Sequence, residues 1–370
     1  MSIFSDLSRR RVLAGLASSA LLSSRLSWAD IPHRAGLKGA AQDGGLFWGA
    51  AVQQAHLSAD AAFAHLLAQE CSVVVPEWEM KWAAVESKRG QRNFARADAL
   101  VRFAEEHRIK LRGHALIWHR SVPDWAKDAL GESSGWDAVA AHIQAMLRRY
   151  GTGTFLHWDV LNEVIEPKDQ RDDGLRKSPF LSAFGPDYIA RALELAHTSA
   201  PAVRLYVNEY GVDYNGRVER DRRAALLRLV EKLKKSGVPL HGIGIQGHLR
   251  LDGSPWSASA LRDFLRELAS HGIKISITEL DVRERDVTAP LAQRDRRVAD
   301  EVTRYLEVVL DEPAVEGIVG WGLSDRYSWL TTAKLATTGA RNRGLPFDDA
   351  LAAKPLRDAI VEALRRRPAR

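Results

Sequence analysis

The segment HWDVLNEV, residues 157–164, is rich in apolar and β-branched residues and ends in the polar pair Asn162 and Glu163. Seven further segments share this character and begin near residues 46, 72, 110, 204, 242, 274 and 317 (LFWGAAV, SVVVPEW, KLRGHALIW, RLYVNEYG, GIGIQGHL, KISITELDV and GIVGWGLSD). Each is too short for an average helix and is bounded by Gly, Pro or charged residues, which is typical of buried strands. The sequence therefore predicts eight β-strands.

Amphipathic patterns with the 3.6-residue period of a helix lie between these strands. The predicted helices include residues 96–108, 136–150, 188–200, 222–235, 258–270, 297–310 and 351–364. Ser257 is a favourable N-cap for the fifth of these, which stops at Gly272. Eight strand–helix units predict a parallel sheet closed into a (β/α)8 TIM barrel of the α/β class, in one catalytic domain over residues 46–366. An open doubly wound sheet is the alternative, but LFWGAAVQQ lacks the phosphate-binding glycines that would follow its first strand.

The N-terminal 29 residues have the pattern of an export signal. Three arginines (9–11) precede a short apolar run (12–22), and Ser-Trp-Ala (27–29) supplies a small-x-small cleavage site. The sequence SRRRVL also looks like a twin-arginine signal. We therefore predict a signal peptide over 1–29 and export to the periplasm or the medium, with a basic terminal helix as the alternative.

Composition limits the remaining function classes. Without residues 1–29 the net charge falls from +6 to +3, and Cys71 is the only cysteine, which excludes an intramolecular disulfide framework and Cys-pair metal sites. No Lys/Arg stripe carries interleaved aromatic residues, so we expect no nucleic-acid partner. We also expect a polar linker over residues 30–45, no membrane contact after signal removal, and a monomer by default.

Polar residues occupy the ends of the predicted strands, where a TIM barrel carries its active site. Every strand from the second to the eighth contributes, and the residues are Glu77, Trp78, Glu79 and Lys81; His114, Trp118 and His119; Asn162 and Glu163; Asn208 and Glu209; Gln246 and His248; Glu279 and Asp281; and Trp321 with Trp329. A full ring of such residues indicates a ligand site.

Glu163 and Glu279 end two otherwise apolar strands, the fourth and the seventh. Either one alone could be a structural ion-pair partner, but as a pair they suit glycoside hydrolysis, which needs a carboxylic acid and a carboxylate. A separation of about 5–5.5 Å is the retaining geometry, with one carboxylate as nucleophile. His248 could hydrogen-bond the nucleophile and keep it charged, or could be a core histidine.

Sugar recognition accounts for the other residues at the strand ends. Hydroxyl groups need polar partners, which Glu77, Lys81, His114, Asn162 and Gln246 provide. The apolar faces of sugar rings pack on aromatic side chains, which Trp118, Trp321 and Trp329 provide, although each tryptophan alone could be a core residue.

From about Leu46 to Leu364 the chain resembles glycoside hydrolase family 10, the endo-β-1,4-xylanases. The motifs that carry the resemblance are EMKW (79–82), RGHALIWH (112–119), WDVLNE (158–163), ITELD (277–281) and WGLSDRYSW (321–329). They stand in the family's order and coincide with the strand ends.

The resemblance implies retaining hydrolysis of internal xylan bonds without a cofactor, with Glu163 as acid/base and Glu279 as nucleophile. It places Glu77, Lys81, His114 and Trp118 on the non-reducing side of the cleaved bond. Asn162 would touch the hydroxyl beside the anomeric carbon, Gln246 and His248 would lie beside the reacting sugar, and Trp321 and Trp329 would form a wall. His119, Asn208 and Asp281 would support these groups from behind.

Two departures from the family pattern leave the substrate open. Trp78 stands where the family usually has a sugar-binding asparagine, and Glu209 stands where it commonly has aspartate. A related hydrolase acting on another or a decorated β-glycan is therefore an alternative, and so is a non-catalytic glycan-binding barrel. A metal-dependent hydrolase is disfavoured because the first strand has no histidine pair.

Overall fold

The computed structural model describes residues 36–151, 153–331 and 341–367. It contains the eight predicted strands, which are β1 Phe47–Val52, β2 Val73–Pro76, β3 Lys110–Gly113, β4 Phe155–Asn162, β5 Arg204–Glu209, β6 Gly242–Ile245, β7 Lys274–Glu284 and β8 Val315–Gly320. Each strand pairs in parallel with the next, and β8 pairs with β1. The sheet is closed, so the predicted (β/α)8 barrel is confirmed.

Helices cover the outside of the barrel and connect the strands. They are α1 Leu37–Asp43, α2 Gln54–Ala59, α3 Ala61–Glu70, α4 Trp82–Val85, α5 Ala95–Glu106, α6 Asp124–Ala129, α7 Gly135–Tyr150, α8 Pro179–Phe184, α9 Tyr188–Ser199, α10 Arg217–Lys235, α11 Ala258–Ser270, α12 Leu291–Val309 and α13 Pro355–Arg366. Helix α11 has the predicted bounds, and the Ser257 hydroxyl accepts a hydrogen bond from the Ala260 amide at 3.2 Å, as expected of an N-cap. None of the described helices is both long and apolar enough to cross a membrane.

The structure differs from the predicted linker over residues 30–45. Residues 37–43 form α1, whose Leu37, Ala40 and Ala41 are buried, and the helix packs against α13. Its amphipathic pattern was missed because seven residues with two small alanines give little periodic signal. Residues 30–35 and the predicted signal peptide over 1–29 lie outside the described residues.

Two short strands extend the barrel at its C-terminal mouth. Ile117–Trp118 pairs with the end of β4, and His248–Leu251 pairs with the end of β7. The second pairing sets His248 opposite Asp281. As a result, the loops after β3 and β6 are held in fixed register over the mouth, where the candidate site lies.

A buried polar group lies inside the barrel below the mouth. Arg112 on β3 forms an ion pair with Asp159 on β4, and both side chains are fully buried. Arg112 donates to both carboxylate oxygens of Asp159, and one of them, Oδ2, also lies 2.9 Å from Nδ1 of His114. This contact fixes the orientation of the His114 ring, which stands edge-on to Trp321 with 5.3 Å between ring centroids.

Candidate active site

A cleft of about 410 Å³ opens at the C-terminal ends of the strands. Eleven of the residues predicted for the site line it, namely Glu77, Lys81, His114, Trp118, Asn162, Glu163, Gln246, His248, Glu279, Trp321 and Trp329. The strand ends place them there because the carboxyl ends of parallel strands meet at one end of a barrel. Within the described residues, no group of three or more His, Cys, Asp or Glu side chains is arranged to hold a metal ion.

Amide side chains connect Glu163 and Glu279 across the mouth. Asn208 on β5 donates from one Nδ2 atom to Oδ1 of Asn162 at 2.9 Å and to Oε1 of Glu279 at 2.7 Å. The side-chain oxygen of Asn208 accepts a hydrogen bond from the Thr278 hydroxyl at 2.6 Å, which fixes the amide orientation. A Cβ atom on Gly244 would lie 2.2 Å from that same oxygen, so glycine is required on β6 beside Asn208.

Glu279 is buried and held as a carboxylate. Burial alone would raise the pKa of Glu279, but the hydrogen bond from His248 and the charges of His114, His248 and Lys81 outweigh it and lower the pKa to about 2. The His248 Nε2 atom lies 3.1 Å from Oε2 of Glu279. Glu279 is therefore ionised at moderate pH.

His248 is itself held from behind by Asp281. The Nδ1 atom of His248 lies 2.8 Å from Oδ1 of Asp281, and Trp329 donates from Nε1 to the other oxygen of Asp281 at 2.6 Å. Glu279 and Asp281 are two residues apart on β7 and so face the same side. Desolvation alone would lower the pKa of His248, but Asp281 and then Glu279 raise it well above its ordinary value. The imidazole is thus a cation that neutralises two carboxylates.

Glu163 has a different environment from Glu279. Its carboxylate is half-buried and is approached by the side-chain amides of Asn162 and Gln246, each at 3.5 Å. Its backbone lies in the left-handed region at φ 59°, which is uncommon for a residue other than glycine. This conformation is held by Arg176, whose Nε donates to the Glu163 carbonyl at 2.7 Å, and by the Asn208 carbonyl, which accepts from the Glu163 amide at 2.9 Å.

A buried network supports the loop that follows Glu163. Glu209 accepts hydrogen bonds from the amides of Ile165 and Tyr210 at 2.9 and 3.1 Å, and Arg222 lies 3.6 Å away. The Tyr210 hydroxyl donates to Glu166 at 2.8 Å and accepts from Arg176. Glu209 therefore connects the end of β5 to the backbone that follows Glu163.

Lys81 lies among aromatic rings and carboxylates on the β2 side. Its Nζ atom is 4.4 Å from the ring centroid of Trp118 and 5.7 Å from that of Trp321. Burial lowers the pKa of Lys81, and the charges of Glu279, Glu77 and Glu163 oppose that effect. Burial likewise raises the pKa of Glu77. These two side chains supply a polar patch beside the Trp118 and Trp321 rings.

Of the three supporting residues predicted from the sequence, two contact the site and one does not. Asn208 and Asp281 contact the groups they were expected to support. His119, by contrast, has no described hydrogen bond to either glutamate and lies towards Arg176 and Glu166, outside the cleft lining. Burial and then the charges of Arg176 and Arg120 lower the pKa of His119 to about 4.

Trp78, at the end of the second predicted strand, lines the cleft, and so do three residues that the sequence did not place there: Gln53, Arg120 and Tyr210. Gln53 directly follows β1 and Tyr210 directly follows β5, so the rule that found the other strand ends could have found both. Trp78 is 40% exposed and lies 5.7 Å from Lys81 Nζ. Arg120 lies in a loop, where no periodic pattern marks it.

These features define a class of protein. The barrel carries two carboxylates at the ends of strands 4 and 7, amide groups between them and tryptophan side chains along the cleft. This arrangement is typical of an enzyme that hydrolyses glycosidic bonds.

Comparison with known proteins identifies the family. The family model described as glycosyl hydrolase family 10 matches residues 36–363. The chain therefore belongs to glycosyl hydrolase family 10. It is 32% identical over 307 residues to the endo-1,4-beta-xylanase A of Fusarium oxysporum. The matched region is 80% of this chain and 89% of that protein.

Other relatives are longer than this chain or have solved structures. The endo-1,4-beta-xylanase A of Thermoanaerobacterium saccharolyticum is 32% identical over 328 residues, which is 85% of this chain but only 26% of that protein. The chain thus spans about a quarter of the length of that relative. Xylanase 10B of Thermotoga petrophila, solved in complex with xylobiose, superposes with a TM-score of 0.79 at 28% identity and covers 89% of this chain and 97% of its own.

Proposed function

We propose that this chain is a retaining endo-β-1,4-xylanase with Glu163 as acid/base and Glu279 as nucleophile. The observation that carries the proposal is the difference between the hydrogen-bond partners of the two carboxylates. Glu279 receives a hydrogen bond from a cationic imidazole and another from Asn208, whereas Glu163 is approached by neutral amides. Glu279 is held ionised, and we assign the proton transfer to Glu163, which is the division of labour that glycoside hydrolysis needs. The xylanase names of the relatives support xylan as the substrate.

In the first step, a carboxylate oxygen of Glu279 attacks the anomeric carbon of the sugar. The bond from that carbon to the glycosidic oxygen breaks, and Glu163 gives its proton to the leaving oxygen. The product is a glycosyl ester on Glu279, with Glu163 now a carboxylate. His248 and Asn208 hold the attacking group in place and give up part of their interaction as its charge is consumed.

In the second step, Glu163 takes a proton from a water molecule whose oxygen attacks the same carbon. The ester bond breaks, Glu279 recovers its negative charge, and Glu163 is again protonated. Two displacements at one carbon return the original configuration. The imidazolium of His248 then stabilises the Glu279 carboxylate as it leaves.

The first experiment is release of reducing sugars by the purified chain from beechwood xylan, arabinoxylan, carboxymethyl cellulose and mannan. We expect cleavage of the xylans and loss of about 10³-fold or more in Glu279→Gln and Glu163→Gln. Glu307→Gln is the matched control, because Glu307 lies on α12, outside the described cleft lining. Undiminished activity in Glu279→Gln would refute the assignment of the nucleophile.

Stereochemistry and leaving-group dependence test the mechanism separately. Proton NMR of the first product from xylohexaose should show the β-anomer, and an α-anomer would refute retention. Glu163→Ala should lose far less activity on an aryl β-xylobioside with a good leaving group than on xylan, because that leaving group needs no proton. Equal losses on both substrates would contradict an acid role for Glu163.

A β-glycan other than plain xylan is the second candidate substrate, and Trp78 is the observation that favours it. This exposed indole lines the cleft at a position where the family usually has an asparagine. It removes a hydrogen-bonding amide and adds bulk. Activity on mannan or carboxymethyl cellulose without activity on xylan would favour this second substrate.

We also propose that residues 1–29 direct export through the twin-arginine pathway and that the exported protein is a monomer. The argument for export is the sequence pattern alone. Replacing the arginines at 9–11 with lysines should retain a reporter fusion in the cytoplasm, and unchanged export would refute the proposal. Light scattering of the purified chain tests the monomer.

A further inference from the structure

Arg120 is a positive group in the cleft without a partner in the part of the chain that the structure describes. It lines the cleft with Glu163 and Tyr210, and its side chain is exposed. Its guanidinium makes no hydrogen bond or ion pair to any residue within 36–151, 153–331 and 341–367. The five N–H donors of this guanidinium thus have no protein acceptor among the described residues.

The other cations near the cleft are committed to protein groups. Lys81 lies over Trp118 and is balanced by the surrounding glutamates. His248 bridges Glu279 and Asp281. Arg176 is bonded to the Glu163 carbonyl and to the Tyr210 hydroxyl. Arg120 differs from all three because its guanidinium has no hydrogen-bond or ion-pair partner among the described residues.

A neutral sugar chain does not need the charge of Arg120, because the amides and carboxylates already in the cleft can hydrogen-bond its hydroxyl groups. A guanidinium pairs most strongly with a carboxylate, because its planar fork can make two parallel charge-assisted hydrogen bonds. The charge of Arg120 also offsets part of the repulsion that Glu77, Glu163 and Glu279 would exert on an anionic ligand.

We propose that Arg120 recognises the carboxylate of a uronic acid branch on the xylan chain, so that an acidic, branched xylan is a preferred substrate. This inference rests on the proposed xylanase function and extends it to the class of branch. The positive charge raises affinity for the branched chain and has no part in the bond-breaking steps. Its effect is therefore expected in kcat/KM measured at low substrate and to weaken in salt.

The test compares one substrate with and without its charge. Glucuronoxylan and the same material after reduction of its carboxyl groups to alcohols are hydrolysed at 20 mM and 500 mM NaCl, with linear xylohexaose beside them. The ratio of kcat/KM on the native polymer to that on the reduced polymer is taken for the parent, Arg120→Gln, Arg120→Lys and Arg148→Gln. Arg148 is the control because it is an exposed arginine on α7, outside the cleft lining. A ratio within each variant cancels any general loss of catalysis.

We expect a ratio of about three to ten in the parent and in Arg148→Gln, a ratio near one in Arg120→Gln, and an intermediate value in Arg120→Lys. High salt should bring the parent towards one. A parent ratio of one, or a ratio that survives in Arg120→Gln, would overturn the role of Arg120 even if xylohexaose is cleaved. Failure to cleave xylohexaose would refute the proposed xylanase function itself.

Discussion

Replacing His248 with asparagine should move the acid side of the pH–activity profile upward. Glu279 must be ionised to attack, so activity is lost as the pH falls through the pKa of that carboxyl group. In the parent this pKa is about 2, and after the burial that opposes it the hydrogen bond from His248 is the largest single influence. Asparagine can still donate a hydrogen bond but carries no charge.

The size of the effect can be worked from the structure. Lowering the pKa of Glu279 from its ordinary 4.5 to about 2 corresponds to about 3 kcal/mol in favour of the carboxylate, at about 1.4 kcal/mol for each pH unit. Without the imidazolium, burial of Glu279 is opposed by the charges of Lys81 and His114 and by the hydrogen bond from Asn208. We therefore expect the acid limb of kcat/KM to rise from below about pH 3 to about pH 4.5 or higher.

The assay is kcat/KM on an aryl β-xylobioside from pH 3 to pH 8, with folding checked by circular dichroism at each pH. His119→Asn is the matched control, because His119 has no described hydrogen bond to Glu279. A His248→Asn profile that falls equally at all pH values, with its acid limb unmoved, would refute the idea that His248 acts through the ionisation of Glu279.

Three further predictions concern specificity and stability. Trp78→Asn should raise activity on plain xylan, measured as kcat/KM on unsubstituted xylan; unchanged kinetics on every xylan would contradict a role for Trp78 in sugar binding. Burial raises the pKa of Glu209 to about 8, so its contribution to stability is present below about pH 4.5 and is lost as the pH rises to about 8. Urea unfolding at pH 5 and pH 8.5 should show a fall in the parent that is smaller in Glu209→Gln, and equal falls would count against this. Lys354→Met should lower the free energy of unfolding by about 3–5 kcal/mol, because it leaves the Asp325 carboxylate buried without the partner that now lies 2.6 Å away. Adding Asp325→Leu should recover part of that loss in the same urea titration, and no recovery would argue against a buried ion pair as the cause.

The fold and most of the cleft lining could be predicted because they depend on short-range pattern. A buried parallel strand is a run of apolar residues, and its last residue marks the barrel mouth without knowledge of any loop. Glu163, Gln246 and Glu279 were found in this way. The start of α12 at Leu291 was placed six residues too late, because its first two turns are mainly polar and carry little hydrophobic period.

The contacts that set the chemistry depend on pairs distant in sequence. Asn208 bonds to Glu279 across 71 residues, and Gly244 must leave space for it. No local sequence pattern predicts that the Asn208 amide donates to both Asn162 and Glu279. Arg120 was missed for the related reason that a loop residue has no period, so only its surroundings reveal that it faces the cleft.

The packing of α1 against α13 has a consequence for the order in which the barrel is assembled. The Glu70 carboxylate at the end of α3 accepts the Leu37 amide at 2.7 Å on one oxygen and Arg357 at 2.9 Å on the other. One side chain thus joins the two ends of the described chain beside the seam where β8 meets β1. A ribosome must synthesise about 320 residues after Leu37 before Arg357 emerges. We therefore expect the seam to close late, after a stage in which the edges of β1 and β8 are open to other chains.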